Sequence, residues 1–151
     1  MRELPTRGPY RHFLPLTTRW MDNDVYGHIN NVTYYSYFDT AANHYLITAG
    51  GLDIERSPVI GLVVESRCNY FKPLAYPDRL QAGLRVDRLG NRAVTYGIGI
   101  FREDPATGEP EAEAAAAGHF VHVFVDRESR RPTAIPAALR EALARLTVAA
   151  P

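Results

Sequence analysis

The chain has 151 residues, 17 basic and 17 acidic side chains and no formal net charge, a length that suits one domain over residues 1–151. The balanced charge removes the basic field that nucleic-acid binding needs and argues against electrostatic attachment to a membrane. Cys68 is the one cysteine, which excludes an intrachain disulfide and any Cys-x-x-Cys pair for zinc or thiol redox work.

The N-terminal run "MRELPTRGPYRHFLPLTTRW" has no continuous apolar segment of signal-peptide type, and no stretch reaches the roughly 18 apolar residues that span a bilayer. The expected location is the cytoplasm, a reducing compartment. Within that run, Leu14, Leu16, Thr18 and Trp20 fall on one side of an extended segment, which predicts a first strand over Phe13 to Trp20. Val32, Tyr35, Phe38, Ala42, Tyr45, Leu46 and Ala49 then recur every three or four residues, the period of a helix with one buried face, and Gly50-Gly51 stops it. Tyr34 and Tyr37 widen the aromatic band, so the helix is expected to be surrounded on more than one side.

From Pro58 to Phe71 the pattern predicts a long strand, with Ile60, Leu62, Val64, Ser66, Cys68 and Tyr70 on one face and Glu65, Arg67 and Asn69 on the other. "RLQAGLRVDRL" alternates more cleanly: Leu80, Ala82, Leu84 and Val86 face one way, Gln81, Arg85 and Asp87 the other. Leu89-Gly90-Asn91 supplies a turn, and "RAVTYGIGIF" an antiparallel return strand. Glu111 to Asp126 is divided, because its alanines favour helix and Phe120 to Val125 favours strand; the hairpin partner needed after Phe101 decides for strand throughout. Pro136 opens a short amphipathic helix marked by Leu139, Leu143 and Leu146. The order gives an α+β fold in which sheet and helices share one core.

Most candidate sites dissolve on inspection. Cys68 sits on the apolar face of a strand, and there is no Gly-x-Ser-x-Gly elbow. Gly97 to Gly99 lies within a strand and lacks the helix of a phosphate loop, so its glycines are expected to allow a bulge or a close backbone approach. His119 and His122 are three apart in a strand and point to opposite faces, which suits hydrogen-bonded sheet residues better than a metal clasp. His44, in the second half of the helix, reads as structural. Arg127, Arg130 and Arg131 form a basic run that is either a solvated loop or a phosphate-binding group. Lys72 is the one lysine beside 16 arginines, a codon bias that carries little mechanistic information.

"WMDNDVYGHINNVTYY", Trp20 to Tyr35, is different. Asp22, Asp24 and Gly27 match three positions of a calcium loop, but Tyr26 and Thr33 occupy two ligand positions and the reading fails there. Asn30 or Asn31 suits a helix cap, with the aspartates near the positive end of the helix dipole. A third reading places a carboxylate beside a helix start whose unpaired N–H groups bind an oxyanion, the machinery of acyl transfer.

The segment "DNDVYGHINNVTYYSYFD" resembles the Asp-x-Asp-x-x-Gly-His-x-Asn-Asn-x-x-Tyr signature of hotdog-fold acyl-CoA thioesterases of the 4-hydroxybenzoyl-CoA thioesterase type. The resemblance continues through "NYFKPLAYPDRL", "RLGNRAVTY" and "FVHVFVDRESRRPTAIP". It implies a hotdog fold, a curved antiparallel sheet wrapped around a long central helix, in homodimers or dimers of dimers with active sites at the subunit interface. Carried across residue by residue, Asp24 becomes the catalytic carboxylate, as general base or nucleophile, and the Asn31 backbone N–H the oxyanion donor. Gly27 allows close backbone approach and, with Asn30, is expected to bind the substrate, and His28 lines the site, hydrogen-bonding the thioester or holding the loop. Asp22 is expected to order the loop, and Asp39 to be an interface or solvated group. Tyr26, Tyr34, Tyr35, Tyr70 and Phe71 either line an acyl tunnel or pack as core. The implied partner is a small acyl thioester, with coenzyme A as part of the substrate and no metal or redox cofactor. An acyl carrier protein thioesterase, an acyl-thioester hydratase or dehydratase, and a non-catalytic binding module are the alternatives. Substrate identity does not transfer, because family subgroups differ in this segment and in acyl preference.

Overall fold

The computed structural model describes residues 3–148. Strand β1 (His12–Thr17) precedes helix α1 (Thr33–Thr48), strands β2 (Val59–Tyr70), β3 (Arg79–Leu89), β4 (Ala93–Arg102) and β5 (Ala116–Asp126), and a short helix α2 (Ala137–Ala144). The strands form one sheet in the order β1-β3-β4-β5-β2, every pairing antiparallel. Since β1 and β2 are the two edges, α1 connects them across the inner face of a curved sheet, the expected hotdog arrangement.

The periodicity places α1 well but not its face. Its buried residues are Tyr34, Tyr37, Phe38, Ala41, Ala42, Tyr45 and Leu46, whereas Val32 is exposed and Tyr35 half-buried. Two stripes offset by one residue both satisfy a three-four spacing in so aromatic a segment, and packing selects the one that meets Leu80, Leu84, Tyr96, Ile98, Phe120 and Phe124. Each such side chain contributes about 1.5–3 kcal/mol through apolar burial. The Leu52 N–H turns back to the Leu46 carbonyl at 3.0 Å, closing the helix at Gly50-Gly51. Helix α2 seals the same core with Leu139 and Leu143, Leu146 just beyond its end joins them, and the Tyr45 hydroxyl donates to the Ala142 carbonyl at 2.6 Å.

Three strand expectations are corrected. The first strand stops at Thr17: the alternation does not extend to Trp20, because Arg19 leads into a 3-10 turn over Trp20–Asp22 and Trp20 points to solvent. In β2, Val63 pairs with His122 and Glu65 with Val121, so Val64 is an extra, bulged residue. The bulge reverses the alternation: Ile60 and Leu62 share a face with Glu65, Arg67 and Asn69, while Ser66, Cys68 and Tyr70 face the helix side with Phe120. Finally, β5 begins at Ala116 rather than Glu111, because the preceding backbone bonds elsewhere: the Glu111 N–H to Arg102 and the Ala114 N–H to Pro5.

The glycines of β4 permit close approach. A side chain at Gly97 would meet Arg85 Nε at 2.6 Å and Asp87 Oδ2 at 2.8 Å, and one at Gly99 would meet the Tyr10 and Phe101 rings at 2.8 Å. Tyr10, Phe101, Ala114 and Ala117 thereby form a second, smaller core on the outer face. No helix among the described residues is long and apolar enough to cross a membrane.

Candidate active site

The connection from β1 to α1 is a folded loop fixed at its base. Asp22 is only 1% exposed, and its carboxylate accepts the Arg19 N–H at 2.9 Å, the Arg19 guanidinium at 3.0 Å and the Tyr37 hydroxyl at 2.8 Å. Burial alone would raise its pKa, but these hydrogen bonds and the arginine charge outweigh burial and hold it below the ordinary carboxylate value. The Asp22 carbonyl accepts the Asn30 N–H at 2.8 Å, and the Ile29 N–H reaches Leu74 at 2.7 Å, so the loop returns to its starting point.

Between these anchors the chain makes a tight turn. The Asp24 N–H donates to the His28 carbonyl at 2.8 Å and the Gly27 N–H to the Asp24 carbonyl at 3.1 Å, with Gly27 in the left-handed region at φ 82°. Asp24 Oδ1 accepts the Tyr26 N–H at 2.8 Å, while Oδ2 has no partner among the described residues. One oxygen therefore aims the group and the other is open.

At the helix start, Asn30 Oδ1 accepts the Val32 N–H at 3.1 Å and the Asn30 carbonyl accepts the Thr33 N–H at 2.9 Å. Asn30 thus makes an Asx turn leading into α1, whose N-cap position Val32 has no side-chain cap. The Asn31 N–H has no acceptor among the described residues, and the Asn31 carbonyl accepts the Tyr70 hydroxyl at 3.0 Å.

Asp24, Tyr26, His28, Asn30, Asn31 and Tyr70 surround one open cleft of about 580 Å³. Tyr34 and Phe71 complete its aromatic wall. Gly27 shapes the turn without lining the cleft, and Tyr35 is outside its lining, standing edge-on to Phe38 at 6.2 Å while its hydroxyl interacts with that of Tyr70. Arg127, Arg130 and Arg131 are not brought there within one chain. The Arg127 N–H bonds Pro58 at the first end of β2, and its guanidinium holds the carbonyls of Ser57 and Ile54 at 2.7 and 2.8 Å, whereas Tyr70 ends the same strand.

Residues outside the cleft take ordinary parts. His119 Nε2 lies 2.7 Å from Glu65 on the outer face, and His122, buried, lies 3.2 Å from the Tyr96 hydroxyl. Burial pushes the Cys68 thiol up to about 11, which keeps it protonated near neutrality. Asp39 is exposed in the single chain and accepts Asn43 Nδ2 at 3.0 Å. Ile29, Lys72 and Pro73 also line the cleft, although no sequence motif singles them out for it. Lys72 carries one available signal, its status as the sole lysine.

A long helix across a curved antiparallel sheet is the hotdog arrangement. The chain matches the family model of the thioesterase-like superfamily over residues 18–143 and belongs to that superfamily, making it a thioester hydrolase by class. The crystal structure of the PA5185 protein from Pseudomonas aeruginosa is 57% identical and covers 99% of this chain and 100% of its own, with a TM-score of 0.92. Slr0204, a 1,4-dihydroxy-2-naphthoyl-CoA thioesterase from Synechocystis, is 15% identical over 87% of this chain and 94% of its own, with a TM-score of 0.75. The SAV2348 protein from Staphylococcus aureus, in complex with CoA, is 15% identical over 89% of this chain and 82% of its own, with a TM-score of 0.77. The last two share the fold.

Proposed function

We propose that this protein hydrolyses acyl-CoA thioesters in the manner of the 4-hydroxybenzoyl-CoA thioesterase type. The observation that carries the reading is the free Asp24 Oδ2 and the free Asn31 N–H on one cleft. A thioester carbonyl against the Asn31 N–H gains hydrogen bonding as its oxygen becomes negative. On the general-base route, Asp24 takes a proton from water, the water oxygen adds to the carbonyl carbon, and collapse expels the thiolate, which recovers the proton. On the nucleophilic route, Asp24 itself displaces the thiolate to give an anhydride that water then cleaves. Quenching a single turnover with borohydride separates them, since only the second route forms an acyl anhydride at Asp24 whose reduction converts that side chain to an alcohol; its absence throughout turnover leaves the general-base route.

The test of the reaction is thiol release from short, aromatic and long acyl-CoAs and from acyl carrier protein thioesters. Wild type turns over at least one, and Asp24→Ala slows it by about 10²–10⁴-fold; equal rates would remove Asp24 from the mechanism. Tight binding without turnover would favour a binding module, and absorbance change of an enoyl-CoA a hydratase.

The working unit of this reading is a homodimer. Strand β2 is an edge of 12 residues with exposed Leu62, Val63 and Val64, and an uncovered edge of that length is a template for pairing with a second copy. Antiparallel pairing of two β2 edges sets the Val59 end of one beside the Tyr70 end of the other, which supports placing the partner's arginine-bearing end near the phosphates of CoA.

A further inference from the structure

Two peptide groups flank Asn31, and they are held differently. In the Asn30–Asn31 peptide the carbonyl accepts the Thr33 N–H at 2.9 Å, leaving the Asn31 N–H open. In the Asn31–Val32 peptide both ends are held, the N–H by Asn30 Oδ1 at 3.1 Å and the carbonyl by the Tyr70 hydroxyl at 3.0 Å. The contacts within residues 30–33 shape the turn, and the Asn30 N–H holds its start to the Asp22 carbonyl at 2.8 Å. Tyr70 is 39 residues away, and its bond ties the turn to the sheet.

The Tyr70 ring is itself located. It stands edge-on to Tyr34 at 5.1 Å, Tyr34 stands edge-on to Tyr37 at 6.0 Å, and the Tyr37 hydroxyl donates to Asp22 at 2.8 Å. Asp22 holds the Asn30 N–H at 2.8 Å through its carbonyl. The row of three tyrosines therefore links the entry of the loop at Asp22 to its exit at the Asn31 carbonyl.

We propose that the Tyr70 hydroxyl is a positioning group that keeps the Asn31 N–H directed at the developing oxyanion, a role that rests on the reading of Asn31 given above. Two other roles compete: an apolar wall of the cleft, and a hydrogen bond made to the acyl group. Tyr70→Phe keeps the ring and removes only the hydroxyl, so a wall role leaves kinetics unchanged and a substrate bond raises KM. Positioning lowers kcat by about three- to tenfold, the scale of one misdirected hydrogen bond, at unchanged KM and an unshifted pH profile. Tyr70→Ala, which also removes the ring, raises KM in addition.

The experiment compares wild type, Asp24→Ala, Tyr70→Phe and Tyr70→Ala on the best thioester of the panel, with amide NMR of the ¹⁵N-labelled proteins. The expected result is the kcat loss in Tyr70→Phe together with shifted Asn31 and Val32 amide resonances and faster exchange at Asn31. Unchanged kcat, a rise in KM alone, or unmoved amide resonances over residues 30–33 would overturn the proposal. A wild type inactive on every thioester would end the thioesterase reading instead, and the amide spectra would still decide whether Tyr70 sets the geometry of Asn31.

Discussion

Asp22 and His122 are buried polar groups whose protonation is opposite in sense. Asp22 has its pKa depressed from 3.8, so its contribution is present above that value and is lost as pH falls through the folded value. Asp22→Ala should cost about 1–3 kcal/mol at pH 7, from loss of hydrogen bonds to a carboxylate, and urea unfolding should show the gap to wild type narrowing below pH 3.8. A constant gap would show that the charge on the carboxylate contributes little. His122 has its pKa lowered from 6.5 to about 4 by burial. The unfolded chain binds the proton first, so stability falls as pH drops from 6.5 toward 4, by roughly 3 kcal/mol in all. A His122→Leu, Tyr96→Phe double variant removes both polar atoms and should lack that slope in urea midpoints at pH 7, 5.5 and 4.5; parallel slopes would refute the assignment. The strand spacing made His122 legible as a sheet residue. The link from Asp22 to Tyr37 was not legible, because which face of α1 is buried depends on packing rather than on the loop's own residues.

At the scale of elements, α1 was legible from its three-four spacing though not its buried face, β3 from an alternation unbroken as far as the register shift between Val86 and Arg88, and β4 from its β-branched and aromatic residues after a turn. Strand β2 was half legible: a period-2 reading assumes an unbroken ladder, and the Val64 bulge leaves no residue type that marks it. Its close fit to β5 leaves a local signature in Gly118, where an added Cβ would overlap the Arg67 carbonyl. Because the obstacle is backbone, the strands must separate to admit it. Gly118→Ala should therefore destabilise the protein by about 1–3 kcal/mol or more, seen as a lowered thermal midpoint, whereas Gly8→Ala, with nothing within 4 Å and no positive φ, should cost far less. Equal losses in the two would mean that the β2–β5 contact yields easily.

For the whole molecule, the arginine run poses the question the single chain leaves open. Its residues were legible as a candidate phosphate group, but their distance from the cleft was not, since sequence order does not say which strand end meets which. A 12-residue strand extends about 36 Å at 3.3 Å per residue, so Arg127 and Tyr70, at opposite ends of β2, serve one substrate only if a second copy supplies one of them. Val63→Lys places a charge on the exposed edge and should convert the proposed dimer to monomer in sedimentation. Arg130→Ala with Arg131→Ala should leave the dimer intact and raise KM for acyl-CoA several-fold with kcat within about twofold, because phosphate attraction acts equally on ground and transition states. Raised salt should shrink that difference, since these side chains are exposed and the Debye length is about 8 Å at physiological ionic strength. If the partner supplies the arginines, Val63→Lys carries the same KM penalty, and adding the arginine substitutions to it changes KM no further. A further rise in the monomer would instead place the arginines and the cleft on the same chain's substrate path.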